Sequence, residues 1–253
     1  MLGKLVGRRW IITSILVLAA AGAMVRLGIW QLDRLQQRKA FNVRVLTYQD
    51  QAPLELDDAA FQEDLYEMEY REVTVAGEYD FDNEVAWRNQ IWYTGEVTDY
   101  GIHLLTPLRI KGSEQVILID RGWVPNDYAN FATWGKFAES GEVTVQGVVR
   151  RGQTEPKFVG VPDPTLMPGQ ERLDTWNFVN LERIGEQMDV QLPDVYIQAV
   201  PPGGEQELPY KLVEEVEIDN GPHLSYAIQW FSFSTILLVG YPVFVKRQED
   251  KRN

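Results

Sequence analysis

The chain has no cysteine, and it holds two histidines and five methionines among 253 residues. Without cysteine there is no disulfide, no thiolate nucleophile, no cysteine-held copper or zinc, no covalent c-type haem attachment and no lipid-modified cysteine. Two histidines and five scattered methionines are also a poor set for copper delivery. The sequence contains no Walker motif, no GxGxxG between a strand and a helix, no HExxH and no GxSxG. The usual fingerprints of nucleotide binding, zinc proteolysis and serine hydrolysis are therefore missing. Basic residues are the scarcer charge, 24 against 37 acidic ones, and so acidic a chain repels phosphate rather than binding nucleic acid. Internal repeats are not evident.

Charge itself is absent from one long stretch. Leu224 to Val245 runs for 22 residues without an ionisable acid or base, long enough as a helix to cross the roughly 30 Å hydrocarbon core of a bilayer. A second apolar run, Trp10 to Leu32, carries a single charge, Arg26. Its IITSILVLAAAGAM core and the AGA at Ala21 to Ala23 also fit a secretory signal with a cleavage site. The apolar pattern continues through Leu27, Ile29, Trp30 and Leu32, however, and a matching run stands at the far end, which favours a membrane span. Residues 1 to 30 hold four Lys/Arg and no acid, and the tail after Val245 holds Lys246, Arg247, Lys251 and Arg252. By the positive-inside rule both ends face the cytoplasm.

The expected plan is an α+β membrane protein, with two transmembrane helices flanking one β-rich extracytoplasmic domain. Residues 1–9 form a cytoplasmic N-terminus, 10–32 the first span, 33–222 the domain, 223–245 the second span and 246–253 a cytoplasmic tail. The expected location is the cell membrane, or the inner mitochondrial membrane in a eukaryote. From Gln31 to Trp230 there are 16 basic and 35 acidic residues, so the outer part carries the negative charge.

Period-two alternation predicts strands over Tyr70–Asp80, Glu84–Trp92, Gly101–Ile110, Gln115–Val124 and Glu142–Arg150, separated by the turn signals DFDN, YTGEVTD, KGSE and ESGE. VYIQAV and KLVEEVEI also read as strands, the latter leading to the exit helix. Helical pattern covers Asp33 to Leu46 and Asn180 to Met188, and the Pro- and Gly-rich stretch Gly152 to Asp174 reads as a long loop. The acidic group Glu214, Glu215 and Glu217 reads as a solvated face.

The richest segment is NGPHLSYAIQWF, Asn220 to Phe231, which sets a histidine where an apolar helix meets water. On a helix starting near Pro222, His223, Tyr226, Ala227, Trp230, Ser234 and Tyr241 share a face. A neutral imidazole in that position serves either as a metal or haem ligand or as an interfacial side chain hydrogen-bonded to backbone or headgroup. Trp30, Trp230, Phe231 and Tyr241 likewise read either as part of a site or as an aromatic belt.

Four blocks, in order, carry a family resemblance: GIWQLDRLQQRK (Gly28 to Lys39), GIHLLTPL (Gly101 to Leu108), ILIDRGWVP (Ile117 to Pro125) and PHLSYAIQWF (Pro222 to Phe231). Over nearly its whole length the chain resembles the Surfeit-locus-1 family of cytochrome c oxidase assembly proteins. The resemblance implies a membrane-bound factor, not an enzyme, that helps haem a reach oxidase subunit I. In bacterial members a histidine of the second helix binds haem a, and His223 matches it. Carried over in this way, His223 is the axial iron ligand; the shared helix face would then let Ala227 leave room beside its ring and Trp230 and Tyr226 pack on the porphyrin edge. Arg34 pairs with a propionate or with lipid phosphate. Arg38, Lys39 and Arg26 have the same two readings, Arg26 leaning toward snorkelling. Subunit I and haem a synthase are the implied partners. In DTWNFVNLERI the family often places an Asp near Asn180, so that region departs from its pattern.

His103 could supply a second haem ligand, but its alternation with Leu104 makes it a sheet-face residue on the ordinary reading. Asp120, Arg121 and Trp123 of IDRGWVP lack an accompanying nucleophile or metal set. They are expected to fix a strand end, with Gly122 allowing a turn and Trp123 packing near the membrane or a partner. The competing function is that of a permanent accessory or structural subunit of a respiratory oxidase complex.

Overall fold

The computed structural model describes residues 9–93, 98–154, 161–201, 203, 206–212 and 216–251. The described residues form helices α1 (Ile11–Gln49), α2 (Leu181–Met188) and α3 (His223–Asp250). The strands are β1 (Leu54–Glu55), β2 (Glu72–Tyr79), β3 (Val85–Tyr93), β4 (Thr98–Ile110), β5 (Val116–Pro125), β6 (Glu142–Arg151), β7 (Thr175–Trp176) and β8 (Val195–Ala199). The chain divides into a helical unit, Met1–Arg44 with Glu217–Asn253, and a β-rich unit, Val45–Val216.

In the helical unit the two apolar runs become α1 and α3, both long and apolar enough to cross a membrane. Asp33–Leu46, expected to be helical, continues α1 without a break. The less exposed side of α1 follows Ser14, Val17, Ala21, Met24, Gly28, Gln31, Leu35, Arg38 and Asn42, in alternating steps of three and four. On α3 the corresponding stripe is His223, Ala227, Trp230, Ser234, Leu237, Tyr241 and Val245. Steps of three and four keep one seam facing a partner helix, as in a coiled coil.

Contacts along the seam run antiparallel. The Ser14 and Tyr241 hydroxyls lie 2.9 Å apart, and Ser234 Oγ donates to the Ala21 carbonyl at 3.1 Å. Trp10 Nε1 donates to Glu249 at 2.9 Å. At Gly28 the approach is so close that a Cβ would fall 2.6 Å from the Phe231 ring.

In the β-rich unit, β2, β6, β8, β5 and β4 pair in sequence, and β4 pairs back onto β2, closing a five-stranded ring. Closure removes the open edges that a flat sheet would expose. β1 extends along β2, while β3 and then β7 extend from β4. One core cluster includes Val73, Val75, Leu108, Ile117, Ile119, Val145, Val149 and Ile197. A second joins Val85, Leu105, Leu118, Trp176 and Tyr196 to Leu181 and Ile184 of α2. β5 is thus buried on both faces, which is why VILI reads as an unbroken apolar run.

Each expected strand from Tyr70 to Arg150 forms within a few residues of its predicted limits, and so does that in VYIQAV. KLVEEVEI does not behave as expected: Lys211, Leu212 and Val216–Ile218 are in no strand, while Glu214 and Glu215 lie outside the described residues. The neighbouring Tyr210 takes the available backbone partner, as an isolated bridge to Trp123. Asn180 caps α2, its side chain accepting from the Arg183 N–H at 3.3 Å. Aspartate fills that position equally well, so the departure from the family pattern preserves the cap.

The Gly28 approach gives a test. Gly28→Val is expected to destabilise the detergent-purified protein by about 1–3 kcal/mol through overpacking, and adding Phe231→Ala should recover most of it. Thermal unfolding of both variants measures this; a double variant no more stable than the single one would rule the contact out as the cause.

Candidate functional site

The lip of the helical unit is built by side chains of α1 holding the segment that enters α3. Arg38 donates to the carbonyls of Asp219 at 2.7 Å and Glu217 at 2.6 Å, and Asn42 Nδ2 donates to Asn220 Oδ1 at 3.3 Å. Gly221 then turns the chain at φ +66°, Pro222 precedes the helix, and His223 is its first residue. The His223 Nδ1 lies 2.8 Å from Gln31 Oε1 of α1. No hydrogen bond from a described residue reaches its Nε2.

The structure separates the residues assigned to this site from sequence. His223, Ala227 and Trp230 share the seam-facing stripe. Ala227 is 1% exposed, buried one turn below His223. Trp230 is half-buried, its ring edge-on to Phe233 at 6.4 Å. Tyr226 is exposed, and Arg34 is exposed and donates to Gln37 at 3.0 Å along its own helix. Arg26 and Lys39 are exposed as well. Gln31, Arg38, Asn42 and Gly221 do the holding, and of these the sequence pattern points to Arg38 alone, as a juxtamembrane cation. The three-four spacing that aligns Gln31 with Gly28 and Leu35 was the available signal.

The β-rich unit gathers the other titratable groups. His103 Nδ1 lies 2.9 Å from both oxygens of the buried Asp120, which also accepts the Gly122 N–H at 3.0 Å. Its ring stands edge-on to Trp87 at 5.8 Å. One step along, the Arg121 guanidinium donates to Glu84 at 3.0 Å, to Glu139 at 2.9 Å and to the Phe137 carbonyl, and lies 5.0 Å from the rings of Tyr79 and Phe81. Thr106 Oγ1 donates to the same Glu84 oxygen at 2.5 Å.

Both members of the Glu84–Arg121 pair are 2% exposed. Burial pushes the Glu84 carboxyl above the usual range, against the opposing pull of Thr106 and Arg121. Burial also pushes the Tyr79 and Tyr196 hydroxyls up. Each buried charge is met by an opposite charge or a donor, an arrangement that holds a strand in place and supplies no nucleophile.

Two expectations for IDRGWVP are corrected here. Gly122 does not make a turn: its φ of +123° sits within β5, where Leu104 pairs with Gly122 and Leu105 with Asp120, so Arg121 is the extra residue of a bulge. Trp123 is 2% exposed, stacked against Trp92 at 5.8 Å and Tyr210 at 6.1 Å, so its ring is spent inside the domain.

Fold and lip together define the class: a β-rich domain carried between two long apolar helices, with a single histidine held at a helix entrance. The model of the SURF1 family matches residues 18–235, and the chain belongs to that family. A SURF1-like protein of Caenorhabditis elegans is 27% identical over 250 residues, covering 91% of this chain and 73% of its own length. Surfeit locus protein 1 of Xenopus tropicalis is 26% identical over 235 residues, covering 85% and 70%. An uncharacterized SURF1-like protein of Mycobacterium bovis is 27% identical over 222 residues, covering 86% and 76%. The family is one of cytochrome oxidase assembly factors and not an enzyme family. All four blocks fall inside the matched range, and they meet in pairs. The first touches the fourth at Gly28–Phe231 and Gln31–His223, and the second and third are the paired strands β4 and β5.

For the β-rich unit, Glu84→Ala leaves Arg121 with its half-exposed partner alone and is expected to cost about 3–5 kcal/mol in thermal unfolding. Because the folded-state pKa of Glu84 is raised, its contribution is full below the ordinary glutamate value and is lost as pH rises through the raised value. Wild-type stability should therefore decline relative to Glu84→Gln across that interval; a pH-independent difference between the two would refute the assignment.

Proposed function

We propose that this chain is a haem a-handling assembly factor for cytochrome oxidase, with His223 as the axial iron ligand. The observation that carries this reading is the state of the imidazole at the start of α3. Its Nδ1 is engaged by Gln31 at 2.8 Å, and no described residue reaches Nε2, the nitrogen an iron would take. A lone neutral imidazole with one nitrogen engaged and the other unshared suits a haem ligand. Haem a, when bound, supplies an iron centre and a large apolar ring whose burial provides most of the binding free energy.

Around that ligand the side chains divide by chemistry. Trp230, half-buried on the same stripe, offers an aromatic face, and the exposed Tyr226 offers a ring and a hydroxyl at the lip. Arg34 offers a cation for a propionate. Ala227, expected to leave room beside the imidazole, is buried in the seam one turn below it, where its small side chain would keep bulk away from the ring. Both helices thus form the site, and with both termini cytoplasmic it would lie at the outer membrane surface; the partners would be subunit I and the haem a synthase that supplies the cofactor. One protein ligand holds the iron without enclosing it, as a carrier that must release its cargo requires.

The absorption spectrum of detergent-purified protein from cells making haem a tests this. Wild type is expected to carry a haem a Soret band, and His223→Ala to lose most of it while the β-rich unit unfolds at an unchanged temperature. Equal haem content in the two proteins, or none in wild type, would sink the proposal.

A further inference from the structure

Gln31 turns its amide oxygen toward His223, and that oxygen can only accept. With Gln31 Oε1 at 2.8 Å, the ring donates from Nδ1. A neutral imidazole carries one N–H, so its Nε2 is left with an unshared pair. A free imidazole side chain favours the opposite tautomer, with the proton on Nε2. The second neighbour is Gly221, at φ +66°, where a Cβ would lie 3.3 Å from both Nε2 and Cδ2 of His223. A side chain at this position would crowd the nitrogen that has to bind iron, and only glycine clears it without backbone strain. Arg38, through the carbonyls of Glu217 and Asp219, holds the backbone just before Gly221.

We propose that Gln31 and Gly221 are positioning residues for His223: Gln31 sets the Nδ1–H tautomer and ring orientation, and Gly221 keeps Nε2 clear for ligation. The assignment rests on the haem-ligand reading for its purpose, but its geometry exists in the cofactor-free chain. Gln31 is suited to the task because a neutral amide orients the ring from one side without placing a second charge at the membrane lip. Leucine in its place would keep the seam apolar and remove the acceptor.

The test uses the full chain in detergent with ¹⁵N-labelled histidine. In cofactor-free wild type, nitrogen–proton correlation spectra are expected to show His223 as the Nδ1–H form. His103, which faces Asp120 elsewhere in the fold, serves as the internal reference, and His223→Ala provides the assignment. Gln31→Leu should move His223 toward the Nε2–H form and leave the His103 signals in place, whereas Gln31→Glu, which keeps an acceptor, should preserve Nδ1–H. In protein purified from cells making haem a, Gln31→Leu should reduce retained haem about 10- to 100-fold. Gln31→Glu should retain it with a lowered midpoint potential. Gly221→Asn, which tolerates the backbone angle but fills the space, should lose haem without changing the tautomer.

His223 in the Nε2–H form in wild type, or an unchanged tautomer in Gln31→Leu, would overturn the proposal whether or not haem is present. Equal haem retention in Gly221→Asn and wild type would remove Gly221 from it. If the tautomer follows Gln31 as expected but wild type carries no haem, the haem reading fails and the positioning by Gln31 stands.

Discussion

β5 is enclosed by strands on both edges and by apolar clusters on both faces, yet it carries an aspartate and an arginine in succession. In a regular strand, neighbours point to opposite faces, and both charges would be buried without water. With the bulge at Arg121 both stay buried, but each meets partners. Asp120 turns to His103 and the Gly122 N–H, while Arg121, the extra residue, reaches Glu84 and Glu139. Gly122 completes the bulge because its φ is positive and because a Cβ there would fall 2.6 Å from the Tyr210 carbonyl oxygen. That close approach allows Trp123 and Tyr210 to exchange backbone hydrogen bonds at 2.8 Å in each direction, and their rings stack on the same link. The whole DRGW segment is one structural device.

A different constraint governs the helical unit. Where apolar helices meet with little water to drive them together, association depends on close backbone approach and on interhelical hydrogen bonds. Ala21, Gly28, Ala227 and Ser234 supply the first, and Ser234 to the Ala21 carbonyl supplies the second. Polar contacts at the two ends set the register: Trp10 with Glu249 and Ser14 with Tyr241 at one, Gln31, Arg38 and Asn42 with the segment around His223 at the other. A shift of one helix by a turn would break both sets. The histidine therefore occupies a rotational setting defined along the full length of the seam.

Period-two patterning located strands such as β2 and β6, whose two faces differ in burial, while β5, buried on both faces, stood out as a short apolar run bounded by turn signals. It could not foresee β1 and β7, two residues each, which exist only because a neighbouring strand offers backbone partners. Nor could it tell that Lys211, Leu212 and Val216–Ile218 would form no strand, since alternation describes a chain that can be extended, not an edge left open to receive it. Glycine just after a charged pair reads alike as a turn or a bulge, and the difference at Gly122 lay in strand pairing far along the chain. At the lip, His223 was visible as a rare residue type at a boundary. Gln31 was not, because glutamine near the end of an apolar run has no distinguishing chemistry until its partner is placed beside it.

The two histidines show what that partner decides. His103 faces a buried carboxylate that is itself pinned by a backbone N–H, and only 13% of its side chain is exposed, so the ring is locked into the sheet. His223 faces a neutral amide at the end of a helix pair and is half-buried. A carboxylate partner pushes charge onto an imidazole and strengthens its bond to a metal, whereas an amide orients the ring without doing so. On the reading proposed for His223, that distinction favours a ligand that holds iron in a defined geometry but only moderately tightly. On that reading, a factor that passes its cargo to another protein gains more from precision of presentation than from the tightest grip, and the Gln31–His223 pair would favour precision over the added strength of a carboxylate partner.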